Sequence, residues 1–442
     1  MDNTAQLTRE VSSTSFFSKV LNYKVGVLPL PLYLVLASVV FAAAYLGKLP
    51  ADMIGGFAII MVMGIFLGDL GSKIPVLKII GGPAILAIFV PSFLVGMNLL
   101  HPAAIESITG IMKKSNFLYL YISCLVAGSI LGMNRKILVQ GFMRMFAPLV
   151  VGTMAAIAAG ISVGLLFGYT PYKTFFFIVM PIMGGGIGEG ILPLSLSYAE
   201  ILNKGQEEFI ALMIPAAMLG NIVAIVSAAL LKRLGEKKTE LNGNGMLVKT
   251  DDDQEVLKEQ KSDKPVDFSL MGAGLLIACC LFIFGGLASK FVPIPGPVLM
   301  IFTAALIKVF KLMPAKMEQG AFHMYKFISG SLTYPLMVGL GVLFVPWNQI
   351  VAAITPAYIA ICLSTVLAMI SSGFFVGKLM NMYPVESAIV TACHSGLGGT
   401  GDVAILSASN RMELMPFAQI ATRIGGASMI VVASLLMKMV TS

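Results

Sequence analysis

Two stretches of the chain carry the same order of residue types, Gly185-Gly186-Ile187-Gly188-Glu189 and Gly398-Gly399-Thr400-Gly401-Asp402. Successive glycines let a backbone approach a ligand closely and let consecutive N–H groups face an anion. The carboxylate that closes each motif can hold a cation such as Na+ with nearby carbonyls, or carry a proton. Arg423 supplies the opposite charge. Its planar guanidinium fits a carboxylate through two parallel hydrogen bonds. Structural roles compete at each position. Gly184 and Gly188 form a GxxxG pair suited to helix packing. Asp402 can cap a helix, and Arg423 can pair with Asp402. Recurrence at matching places in the chain favours a shared binding site over packing alone. Ser195, Ser395 and Thr400 offer hydroxyls, although such side chains also bond to their own helix. Asn221 reads as readily as a helix–helix contact, and His394 reads as a buried, satisfied histidine.

The elements that position these residues must sit in lipid. Of the 442 residues, 57% are hydrophobic and only 12% are charged, against about 25% charged in soluble proteins. About thirteen apolar segments recur between residues 26 and 440, many near the roughly 20 residues a spanning helix needs. The net charge of +8 comes from positives scattered between apolar segments. That distribution fits cytoplasmic membrane loops and not the clustered face that nucleic acid requires. The five cysteines have neither zinc-site spacing nor an even count for a complete disulfide framework. Gly396-x-Gly398-x-x-Gly401 matches a dinucleotide fingerprint in letters only, since no βαβ unit surrounds it.

Both glycine motifs fall inside apolar segments, 174–198 and 385–407. Each glycine costs about 1 kcal/mol in a helix interior relative to alanine, so neither segment is expected to be a continuous helix. Freed backbone groups at membrane depth must be buried in protein or line a wet cavity. Both segments therefore read as re-entrant hairpins. With 174–198 non-crossing, the charged loop 232–267 falls in the cytoplasm, as the positive-inside rule prefers. Lys113 and Lys114 are exceptions to that placement. The resulting plan is an all-α membrane protein of about eleven transmembrane helices. Residues 1–25 form a cytoplasmic tail and 26–50 an extra first helix. Residues 51–231 form a first repeat, 232–267 a solvated cytoplasmic loop, and 268–442 a second repeat of inverted topology, a recurrent plan of secondary carriers. The N-terminus is expected inside and the C-terminus outside.

The run from Pro181 to Ser195, the run Gly398-Gly399-Thr400-Gly401-Asp402-Val403-Ala404, Asn410-Arg411-Met412 and Arg423-Ile424-Gly425-Gly426 resemble the 2-hydroxycarboxylate transporter family, bacterial carriers of citrate, malate and lactate. The resemblance covers nearly the whole chain. It implies two oppositely entering hairpins and a homodimer in the inner membrane that moves substrate by an elevator-like displacement. It also implies that Arg423 holds a substrate carboxylate, that Gly185, Gly186, Gly188, Gly398, Gly399 and Gly401 form the hairpin tips, and that Thr400 contacts substrate. Asp402 lies in the region associated with cation coordination, with Glu189 as its counterpart. Sodium–citrate symporters of that family have an arginine directly before the second Gly-Gly. Here that position is Leu397, which places malate ahead of citrate.

The expected function is symport of a di- or tricarboxylate with Na+ or H+, without an organic cofactor. Electrogenic exchange, such as malate or citrate for lactate, would use the same motifs. A membrane enzyme would need a nucleophile–base pair or metal cluster, and a channel would more naturally repeat its filter across subunits than invert it within one chain.

Overall fold

The computed structural model describes residues 23–75, 77, 82–133, 135–248, 265–292, 294 and 296–441. The side chains of 136–142, 349, 350, 353, 400, 407 and 416 also fall outside the description. The first 22 residues of the expected tail, most of the charged part of the central loop and the Thr400 side chain therefore lie outside the described residues.

Among the described residues the chain is built of helices, apart from a short hairpin pairing Lys24–Val25 with Leu28–Pro29 and one isolated bridge, Val248 to Met382. In order the helices are α1 (Leu30–Tyr45), α2 (Met53–Lys73), α3 (Gly82–Gly96), α4 (Pro102–Thr109), α5 (Phe117–Leu131), α6 (Arg135–Leu166), α7 (Pro171–Met183), α8 (Leu192–Leu202), α9 (Gln206–Lys237) and α10 (Phe268–Ala288). They continue with α11 (Gly296–Phe310), α12 (Ala315–Ser331), α13 (Thr333–Leu343), α14 (Trp347–Ala353), α15 (Pro356–Leu379), α16 (Pro384–Cys393), α17 (Gly399–Ser409), α18 (Met415–Ile420) and α19 (Gly426–Thr441). Among the described residues, 6 helices are long and apolar enough to cross a membrane, or up to 8 if α4 with α5 and α12 with α13 each make one bent span. The chain is an all-α, multi-pass membrane protein.

Local chemistry sets many of the boundaries. Asp52 caps α2, accepting from the N–H groups of Ile54 and Gly55 at 2.9 and 3.1 Å, as a side chain at that position does for orphan helix donors. Asp267 and Thr355 cap α10 and α15 in the same way. The apolar run near 324–346 is divided at Leu332 into α12 and α13. Pro335, in the first turn of α13, has no N–H to give and clashes with a continuing helix behind it.

Two compact units are present. The smaller contains α1 to α4 and α13. Within it α2 and α13 approach closely: a Cβ on Gly64 would collide with the Pro335 backbone. The larger contains α5 to α12 and α14 to α19. Its core joins Ile178, Ile182, Ile225, Val366, Ile389, Ile405 and Phe417, all buried. In this unit α6 and α15 pack together, where a Cβ on Gly152 would meet Met369 and one on Gly160 would meet Thr365.

The start of the 232–267 loop is not the solvated chain expected of it. Helix α9 continues to Lys237, and Leu247 is fully buried. The N–H groups of Gly243 and Gly245 donate to the Glu386 carboxylate at 2.8 and 3.4 Å. Arg411 Nε reaches the same carboxylate at 3.1 Å, and its Nη2 reaches Asn242 Oδ1 at 2.7 Å. Two glycines of the loop here supply close backbone donors to a buried acid, and the Asn242 side chain accepts from the arginine that pairs with it.

Candidate functional site

The glycine motifs break their helices as expected. After α7 the backbone passes through Gly185 and Gly186 with φ of 86° and 98°, the left-handed region that glycine adopts without strain. A π-helical turn, Ile187–Ile191, then leads into α8. After α16 the chain turns at Gly398, φ 72°, into α17. The two breaks touch. A Cβ on Gly186 would collide with the backbone of Leu397 and Gly398, and one on Gly398 would lie 3.1 Å from the Gly185 carbonyl oxygen. A Cβ on Gly185 would strike the Thr422 carbonyl. Both motifs and the Arg423 segment therefore meet at one place inside the larger unit.

Arg423 sits in a π-helical turn, Ala421–Gly425, between α18 and α19. Such turns are rare and recur at functional sites. The wider turn leaves the Ala421 carbonyl to another donor, and His394 Nδ1 lies 2.8 Å from it, so that nitrogen is assigned the proton. His394 is fully buried, as its expected structural role requires, although its Nε2 has no partner among the described residues.

Arg423 is 8% exposed. Its Nη2 donates to Tyr325 Oη at 2.9 Å, its Nη1 to the Ser129 carbonyl at 3.5 Å, and its Cζ lies 4.7 Å from the Tyr325 ring centroid. Tyr325 in turn donates to Glu189 Oε1 at 3.0 Å. The direct ion pair from Arg423 Nε to Glu189 Oε2 is long, 4.0 Å, and Glu189 Oε2 accepts no hydrogen bond among the described residues. The competing structural partner for Arg423, Asp402, is engaged elsewhere. Its Oδ1 accepts from Thr422 Oγ1 at 2.6 Å, while its Oδ2 is buried without a partner among the described residues. Buried polar atoms normally find partners, so unfilled oxygens near an incompletely used guanidinium make this the candidate ligand site.

The remaining expected residues divide. Gly399 is exposed, and a Cβ placed on it would lie 3.9 Å from Tyr325 Oη, its nearest neighbour. Gly188 packs against Tyr121 and Leu125, and Gly401 against Asn221 and Gly396. Asn221 holds the second break, accepting from Leu397 N–H at 3.1 Å. Ser195 is spent locally: it donates to the Leu192 carbonyl and accepts from Gln206. Ser395 Oγ is buried and unpartnered among the described residues. Tyr325, Ser129 and Thr422 were not singled out from the sequence. Thr422 adjoins Arg423, but Tyr325 and Ser129 lie on α12 and α5, and no spacing connects them to the motifs. Among the described residues no group of three or more His, Cys, Asp or Glu side chains assembles, so a cation beside Asp402 would draw on hydroxyl and carbonyl oxygens. An apolar cavity of about 490 Å³ opens beside Arg423 between α11 and α19. Lys308 in its wall is tied to Glu318 and the Leu131 carbonyl.

Residues 25–435 match the sequence profile described as the 2-hydroxycarboxylate transporter family. The chain is similar to the Na(+)-malate symporter of Bacillus subtilis, 58% identical over 98% of this chain and 97% of that protein. It is also similar to the citrate/malate-proton symporter of the same organism, 45% identical over 94% and 93%. The citrate/sodium symporter of Salmonella typhimurium is 34% identical over 96% of both chains.

Proposed function

The chain belongs to the 2-hydroxycarboxylate transporter family, and from that premise we propose that it carries malate, and citrate second, across the bacterial inner membrane together with Na+ or H+. The observation that carries this reading is the charge balance of the buried site. One guanidinium, Arg423, lies near the Glu189 carboxylate, and a second carboxylate, Asp402, is bonded to the neighbouring Thr422. A dicarboxylate adds two further negative charges. Uncompensated charge at membrane depth is expensive, so the anion must arrive with cations. Coupled transport follows from that requirement. Arg423 and the backbone of Gly185, Gly186, Gly188, Gly398, Gly399 and Gly401 receive the anion, with Thr400 at the second tip. Asp402 and Glu189 serve the cation, with Na+ placed beside Asp402. The protein is a carrier and not an enzyme.

Malate leads because the apolar Leu397 gives a third carboxylate no second counter-charge. The names of the relatives at 58% and 34% identity follow the same order. In this reading α7 with α8, and α16 with α17, are re-entrant hairpins. Support comes from α7 and α16, apolar helices too short to span, each followed within a few residues by glycine of positive φ, Gly185 and Gly186 after α7 and Gly398 after α16. About eleven helices then cross in an inverted repeat. The carrier is a homodimer that moves its site by elevator-like displacement.

Uptake of labelled malate and citrate into proteoliposomes, with Na+ replaced by K+ at fixed pH, tests the function. Malate accumulation driven by a cation gradient is expected. Counterflow that ignores both Na+ and proton gradients would establish exchange and reject symport.

A further inference from the structure

Glu189 is poorly placed for a purely structural ion pair. A stable buried pair needs good geometry and further hydrogen bonds to offset desolvation. Here the direct N···O separation is 4.0 Å, one carboxylate oxygen is unpartnered among the described residues, and the link to Arg423 runs through the Tyr325 hydroxyl. The π-helical turns that carry Glu189 and Arg423 belong to different broken helices, so the pair joins one glycine break to the segment it packs against. The guanidinium keeps donors in reserve: its described hydrogen bonds go to one hydroxyl and one carbonyl, and none goes to a carboxylate.

We propose that Glu189 is the internal stand-in for the substrate's carboxylate. In the empty carrier it neutralises Arg423 through Tyr325. A substrate carboxylate then takes the guanidinium with two parallel hydrogen bonds, which Glu189 does not make. The displaced Glu189 carboxylate, left with a buried negative charge, takes up the co-transported cation. This deepens the function proposed above and rests on Arg423 being the substrate's anchor. It makes anion and cation binding mutually dependent, and such linkage is reciprocal: the cation raises substrate affinity by the factor by which substrate raises cation affinity. The charged and titratable groups around Glu189 are Arg423, Tyr325 and Asp402, the last bonded to Thr422. His394 contributes only through the Ala421 carbonyl.

Malate binding to the purified full-length chain, titrated with Na+ at fixed pH and with protons in K+ medium, decides the matter. For the native chain, affinity should rise with the coupling cation, and the arm that responds identifies it. In Glu189→Gln the competitor is gone. Affinity at low cation should rise about tenfold, within the usual range of such couplings, and its cation dependence should flatten. Tyr325→Phe keeps both charges and removes the bridge, so a smaller change in the same direction is expected and guards against misfolding of the first variant. A native cation dependence in both variants, or loss of malate affinity at every cation concentration in both, overturns the proposal. Arg423→Lys separates the two levels. If it binds malate as the native chain does, the anchoring role fails; if it loses malate while Glu189→Gln keeps native cation dependence, only the stand-in role fails.

Discussion

At the scale of single residues the site is a short relay, Arg423 to Tyr325 to Glu189, beside a second acid, Asp402, held by Thr422. Arg423→Lys keeps the charge and removes the planar fork. Malate uptake is expected to lose affinity on the order of tenfold or more, in keeping with the strength of bidentate charge-assisted pairs. The apparent KM in vesicles measures it, and an unchanged value would sink the anchoring role. Asp402→Asn should remove a ligand oxygen and a charge together. Its uptake should fall and no longer recover with added Na+. Thr422→Val should weaken uptake less, because it leaves the carboxylate in place.

At the scale of elements the glycine breaks carry the design. Gly186 combines φ of 98° with backbone atoms of Leu397 and Gly398 where a Cβ would stand. Gly186→Ala is therefore expected to push the two breaks apart and to abolish transport in a chain that still reaches the membrane, which uptake and surface abundance together would show. The same crowding makes Gly186 a poor site for a reporter cysteine, whereas Gly399 is exposed. With the exposed native Cys280 replaced, a cysteine at 399 should be shielded from a thiol reagent by malate; labelling indifferent to malate would count against substrate reaching this tip. Away from the site, Glu386 ties the loop start at Gly243 and Gly245 and the guanidinium of Arg411 to the base of α16. Removing one partner of a buried ion pair costs about 3–5 kcal/mol. Glu386→Ala should accordingly lower the apparent Tm in detergent well beyond Asn242→Ala, which removes a neutral, partly exposed amide and leaves the buried ion pair intact.

At the scale of the whole molecule the arrangement is that of a carrier whose cargo and cations must travel together. Electrogenic uptake in proteoliposomes would give the stoichiometry, since each malate dianion must move with more than two monovalent cations to carry net positive charge inward. Reporter fusions at the two ends check the topology: the proposed plan requires the N-terminus inside and the C-terminus outside, and a same-side result would remove one hairpin from the reading. Equal inhibition of malate uptake by malate and citrate would argue that Leu397 does not set the preference.

Composition alone determined that this chain lives in lipid, because a surface with so few charges cannot face water. The repeated Gly-Gly-x-Gly-acid motif determined where helices must break, because glycines in series forfeit helix stability and the left-handed turns at Gly185, Gly186 and Gly398 suit little else. Arg423 was legible for a related reason: a lone guanidinium in an apolar run needs a partner. Which partner it has was not legible. Glu189 and Tyr325 precede Arg423 by long stretches of chain, and only the packing of α12 against the broken helices brings them to it. The docking of the 239–248 segment was hidden for the same reason. Glycines in a polar loop look solvated until a buried acid, distant in sequence, uses their N–H groups. Sequence periodicity records what each helix does by itself; the charge pairs that couple one element to another exist only once the elements are packed.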